Sequence, residues 1–221
     1  MPRCVLVLAL LLLTTACASA PDRAYYPTPG TTGSTAVSHA LFRAAQAAGD
    51  DPQRYSFALI QTRDVYSFSA DDATFYFSDG LARQPAAHVD ALVAHEVAHE
   101  ILGHAGRRRA LALSLHAGFT VLGVVVPGAG LLDLVASPLI VRAFTRDQEI
   151  AADRKAVEIL RAMGYESPAR TMAQALTAAH EVNGAEASGA LSTAPPLSDR
   201  LAALSALDPR AKLDQPTSAP R

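Results

Sequence analysis

Residues 89–106 decide how the rest of the chain is read: Val89-Asp90-Ala91-Leu92-Val93-Ala94-His95-Glu96-Val97-Ala98-His99-Glu100-Ile101-Leu102-Gly103-His104-Ala105-Gly106. Val89, Leu92, Val93, Val97 and Ile101 recur with a period near 3.6, which collects apolar side chains on one face of a helix. Pro85 and polar residues stand in front, where a helix begins. The pattern predicts a helix over 89–106. His95 and His99 are four apart in it, so both imidazoles leave the same face and converge on one point.

Before this helix the chain predicts a first helix over 37–48, with Ala40, Leu41, Ala44, Ala45 and Ala48 at helical spacing and Gly49 as a stop. Tyr55 to Gln61, Val65 to Ser69 and Ala73 to Ser78 carry aromatic and branched residues between Asp and Gly punctuation, and predict three strands. After it come helices over 146–163 and 168–182, and a short one through Leu207 that Ser198 can cap and Pro209 ends. Strands followed by a run of helices indicate an α+β domain.

The chemistry starts with the pair His95 and His99. Imidazole nitrogens four residues apart on a helix suit Zn2+, with ligand distances of about 2.0–2.1 Å. Glu96 then stands beside the attacking water as its general base. A catalytic zinc needs a third protein ligand. His104 fails on spacing: the extended pattern HExxHxxGxxH asks for Gly at 102 and His at 105, and the chain has Leu102, Gly103 and His104. At about 100° per residue along a continued helix, His104 is expected on the face opposite His95.

Glu149 is the better candidate. In Arg146-Asp147-Gln148-Glu149-Ile150-Ala151-Ala152-Asp153, Glu149 and Asp153 share a helical face. Glu149 can ligate the metal while Asp153 accepts from the far nitrogen of a ligating histidine and fixes its tautomer. Asp147 faces away, Glu158 lacks an acidic follower, and His180 belongs to another helix. The plainer alternative is a solvated charged face running on through Arg154 and Lys155.

Taken in order, His95 to His104, Glu149-x-x-x-Asp153 and Pro195-x-x-x-x-Arg200 resemble the HtpX-like and CAAX-prenyl-protease family of zinc metalloendopeptidases. The resemblance covers most of residues 38–205. It implies a zincin-like, gluzincin-type domain over 38–207, with a small sheet packed on the HExxH helix and further helices toward the C-terminus. It also implies one zinc per chain and cleavage of polypeptides with Glu96 as base. Tyr66-Ser67 departs from the family's Asn-Ala on the edge strand, and Ala194 replaces a histidine thought to hold substrate or the developing oxyanion. Arg200 is the residue expected to compensate as a catalytic donor.

The remaining signals concern where the protein works. Half of the 221 residues are hydrophobic and 18% are charged, so a folded chain is expected. With a net charge of −2 there is no basic footprint for nucleic acid. Arg3 followed by apolar Val5 to Leu13 reads as a signal peptide over 1–16. Thr14-Thr15-Ala16-Cys17 resembles a bacterial lipobox, with Cys17 lipidated and residues 17–37 as a flexible tether. Ala18-Ser19-Ala20 offers the alternative of ordinary secretion. Ala18 after the cysteine points to the outer membrane, periplasmic face. No charged residue occurs between Arg109 and Asp133, so residues 110–141 are expected either over the cleft or at the membrane. Residues 208–221 are expected as a disordered tail.

These features predict an envelope-anchored endopeptidase acting on unfolded or mis-assembled polypeptides. The rivals are a zinc-binding, chaperone-like lipoprotein with little turnover, and an integral membrane protease.

Overall fold

The structure, a computed structural model, describes residues 23–70, 73–107, 144–184 and 195–207. In chain order the elements are β1 (Ala24–Tyr25), α1 (Thr32–Ala48), β2 (Ser56–Ile60), β3 (Ser67–Ser69), β4 (Thr74–Ser78), α2 (Asp79–Ala82), α3 (Ala86–Ile101), α4 (Arg146–Ala162), α5 (Pro168–Asn183) and α6 (Leu197–Ser205). The four strands form one sheet in the order β1-β2-β4-β3. β2 and β4 are parallel, whereas β1 and β3 are antiparallel to their neighbours. Among the described residues the sheet therefore ends on β3, and β3 lies against α3.

The alternation of β4 and β3 explains this packing. Phe75 and Phe77 are fully buried and pair with Ser69 and Ser67, while Phe68 and Tyr76 stack at 4.9 Å between centroids. Side chains alternate across a strand, so Ser67 and Ser69 share a face with the buried phenylalanines. α3 is buried along nearly its whole length, from Val89 to His99. Small side chains on it (Ala91, Ala94, Ala98) are fully buried and let neighbouring helices approach closely. α1 brings Val37, Ala40, Leu41 and Ala44 into the same core, and α4 brings Ala156, Ile159 and Leu160.

Two polar ties fix the frame from outside the core, one on α3 and one on the segment leading into β3. Asp90, 2% exposed, accepts from Arg43 of α1 at 2.5 and 2.8 Å and from the Tyr165 hydroxyl at 2.6 Å. Asn183, the last residue of α5, accepts from the Val65 N–H at 2.7 Å and donates to the Val65 carbonyl at 2.8 Å. Its amide acts as a neighbouring strand would, and pins the chain leading into β3.

The α+β architecture with a small sheet on the HExxH helix is the expected one. Several boundaries differ. The tether expected over 17–37 gives way to order by Ala24: β1 pairs with β2, the Tyr25 hydroxyl donates to Asp79 at 2.5 Å, and α1 starts at Thr32. α3 ends at Ile101 and not at 106, because Gly103 takes φ +65 and turns the chain. α6 begins after Pro196, which replaces Ser198 at the cap position. The signal peptide, Cys17, the apolar stretch 110–141, Ala194 and the tail 208–221 lie outside the described residues. Among the described residues, no helix is long and apolar enough to cross a membrane.

Gly80, at the join of β4 and α2, is where the backbones come closest. A Cβ there would lie 2.1 Å from the Arg63 carbonyl oxygen and 2.3 Å from that of Asp64. Its N–H donates to the Thr62 carbonyl at 3.0 Å, so the two segments cannot separate without losing that bond. Gly80→Ala is expected to destabilise the fold by about 1–3 kcal/mol, the usual cost of overpacking. Denaturant unfolding checks this, and an unchanged midpoint contradicts it.

Candidate metal centre

His95, Glu96 and His99 come from consecutive turns of α3 and are 7%, 4% and 0% exposed. The two imidazoles bring their Nε2 atoms to 3.1 Å from each other. Glu149 arrives from α4, where Thr145 and Gln148 form a capping box: the Thr145 hydroxyl accepts the Gln148 N–H and the Gln148 side chain accepts the Thr145 N–H. That cap fixes where α4 starts, and hence where its first turn points. An acidic side chain there also meets the positive end of the helix dipole. Glu149 Oε2 lies 3.3 Å from His95 Nε2, and Oε1 lies 3.5 Å from His99 Nε2.

Asp153, one turn further along α4 and fully buried, places Oδ1 2.9 Å from His95 Nδ1. Arg200 of α6 then grips Asp153 with two donors, Nε to Oδ2 at 2.7 Å and Nη2 to Oδ1 at 2.6 Å. Its Nη1 faces Glu149 Oε2 at 3.6 Å. Its Nη2 also lies 3.4 Å from His95 Nδ1, so in the structure Arg200 is engaged with the carboxylates and the histidine behind the cluster. Asp147 is exposed, as the helical geometry requires.

His104 is the larger correction. It is not on the far face but 3% exposed, with Nδ1 3.1 Å from His99 Nδ1. The 100° rule assumed an unbroken helix, and the Gly103 turn breaks it. Phe144 was also missed; its ring stacks on His99 at 3.7 Å between centroids. Ser67 was missed as a partner of Glu96: its hydroxyl donates to Glu96 Oε1 at 2.8 Å. The alternation Ser67-Phe68-Ser69 held a signal for Ser67, and Gly103 held one for His104. Phe144 follows a long apolar stretch and had none.

The charges alternate through the site. Burial alone would lower the His95 pKa, but hydrogen bonds to Asp153 and Glu149 outweigh it and raise it to about 10. Burial would raise Asp153, yet the bonds from Arg200 and His95 hold it down to about 2. Glu149 is also lowered, with its bond to His95 overcoming burial. His104 goes the other way: burial and the nearby Arg107 push its pKa down.

The donor set fits a cation. With Nδ1 of His95 engaged by Asp153, its Nε2 must face His99 Nε2 and Glu149 Oε2, while Glu149 Oε1 faces His99 Nε2, all electron-pair donors when the rings are neutral. Only a proton or a metal ion among them relieves that repulsion. One ligand atom each from His95, His99 and Glu149 lies within 4.8 Å of the others, a group that could hold a metal. The sequence model of peptidase family M48 matches residues 34–208, most of the chain. The chain belongs to that family of metallopeptidases. No curated protein matches it.

Metal and proton compete for His95. Below its pKa of about 10 a proton must leave before the nitrogen can ligate, so lower pH favours the competitor. Apparent metal affinity is expected to rise up to roughly tenfold per pH unit on the way up to that pKa. Chelator competition across neutral pH measures the slope, and a flat profile contradicts the protonated His95.

Proposed function

We propose that this peptidase of family M48 is a zinc endopeptidase that cleaves unfolded or mis-assembled polypeptides in the bacterial cell envelope. The observation that carries the reading is the placement of Glu96 between the cluster of His95, His99 and Glu149 and the sheet edge β3. Two histidines and one glutamate are a donor set typical of catalytic zinc, with a position left for substrate or water. When bound there, zinc supplies Lewis acidity, polarising a carbonyl and acidifying water.

The chain's own residues supply the proton transfers. Glu96 accepts a proton from the attacking water as its oxygen bonds to the scissile carbon, then returns that proton to the amide nitrogen as the C–N bond breaks. The Ser67 hydroxyl orients Glu96 for both transfers. β3 offers its outer backbone edge to an extended polypeptide, and recognition of backbone suits clients of varied sequence. Such segments are available in unfolded proteins and scarce in folded ones.

The envelope assignment rests on Arg3, the apolar run Val5 to Leu13, and Cys17 in a lipobox-like setting. The several acyl chains of a bacterial lipoprotein anchor firmly where one gives a binding constant of only about 10⁴ M⁻¹. Cys17→Ser is expected to move the protein from the membrane to the soluble fraction. Retention after salt and alkaline washing contradicts a lipid-only anchor and points to residues 110–126.

Ala194, where the resemblance implies a histidine, favours a second reading: a zinc-binding lipoprotein with chaperone-like action and little turnover. One comparison separates the two. With residues 18–221 as the test protein, zinc content and casein hydrolysis are measured beside Glu96→Gln. The peptidase reading expects unchanged zinc and a loss of about 10²–10⁴-fold in hydrolysis, the range for removing a general base. Zinc bound without hydrolysis in either protein selects the second reading.

A further inference from the structure

We propose that His104 is a positioning residue for the metal centre: its Nδ1 accepts the Nδ1–H of His99 and so fixes the tautomer and ring orientation through which His99 presents Nε2. The inference rests on the reading of His95, His99 and Glu149 as metal ligands.

The direction of this hydrogen bond follows from proton counting. A histidine that ligates through Nε2 keeps its hydrogen on Nδ1. His99 Nδ1 is 3.1 Å from His104 Nδ1, too close for two hydrogens between them, so His104 must turn a lone pair to His99 and carry its own hydrogen on Nε2. Asp153 cannot serve here, because it is engaged by His95 and Arg200.

The backbone and the surrounding packing hold the acceptor in place. Gly103, at φ +65, turns the chain after α3 so that the next residue returns toward His99. A residue with a side chain is strained in that conformation, so the turn and the acceptor belong together. His104 is 3% exposed, and Phe144 lies 3.7 Å from the His99 ring and 5.9 Å from the His104 ring, centroid to centroid. Rotation of either imidazole would disturb this stack.

The two ligating histidines consequently differ. His95 is backed by a carboxylate, which strengthens it as a donor, and His99 is backed by a neutral imidazole, which orients it with less added charge. Asymmetric backing leaves the centre less negative than two carboxylates would.

The test uses the full chain and zinc alone. Loss of such an outer partner typically lowers metal affinity by about 10–100-fold. His104→Phe, which keeps a ring but has no acceptor, is expected to show that loss in competition with a chromophoric chelator. His104→Asn, whose Oδ1 can take the place of Nδ1, is expected to restore most of it. In long-range 1H–15N spectra of the zinc-loaded wild type, His99 should carry hydrogen on Nδ1 and His104 on Nε2. Wild-type affinity in a folded His104→Phe protein overturns the inference, as does a hydrogen on His104 Nδ1; the spectrum decides even if His104→Phe does not fold. A wild-type chain that holds no zinc overturns the metal reading itself, and the inference with it.

Discussion

The site depends on keeping a line of alternating buried charges complete and away from water. Two imidazole nitrogens stand 3.1 Å apart with a carboxylate within 3.5 Å of both, a crowding that is favourable only with a proton or a metal ion among them. They stay because each is tied from behind: His95 by Asp153, Asp153 by Arg200, His99 by His104 and Phe144, Glu149 by a capped helix start. Along one line the charges run Glu149, His95, Asp153, Arg200, alternating in sign. Ions so buried cost several kcal/mol each unless neighbours compensate them, so the line is stable only when complete. Removing one member leaves its neighbour buried and uncompensated, a larger loss than the lost contact alone.

Such a line needs a stiff support, and the fold provides one around α3. The helix is held by the apolar core on its inner faces and by the Asp90 tie to α1 and to Tyr165, just beyond α4. The sheet edge is placed relative to the same helix by β4 and by the Asn183 clasp on Val65. Ligands and edge strand are thus referenced to one element. Geometry held by supported helices and strands is tighter than geometry held by loops.

What could be read in the sequence follows from how locally each feature is determined. Helical period and four-residue spacing belong to single elements, so α3, the His95–His99 pair and the shared face of Glu149 and Asp153 were legible before any packing was known. That Asp153 would back a ligating histidine was legible too, because it needs only two helices with their polar stripes facing; which histidine, His95, came from the packing. Arg200 was found but its grip on Asp153 was not, since spacing says nothing about which donors are already occupied. β1 has two residues and no period to detect; it exists because β2 offers an edge and Asp79 takes the Tyr25 hydroxyl. His104 was lost to a single assumption, that the helix ran through Gly103.

The contact between Ser67 and Glu96 shows why residue chemistry matters beyond position. A general base alternates between carboxylate and carboxylic acid, and its neighbours must suit both states. An arginine or lysine partner can only donate, and would favour the ionised state at the expense of the other. The Ser67 hydroxyl donates to Glu96 Oε1 in the structure and can rotate to accept from that oxygen when it carries a proton. One contact therefore survives the whole proton cycle and keeps the base in one orientation. Among the described residues β3 also carries an outer edge of the sheet, so the strand that holds Glu96 is the strand to which the proposed function assigns the extended polypeptide. A displacement of β3 along its register would then disturb both at once, and under the proposed function it would couple the orientation of Glu96 to the seating of a chain on that edge.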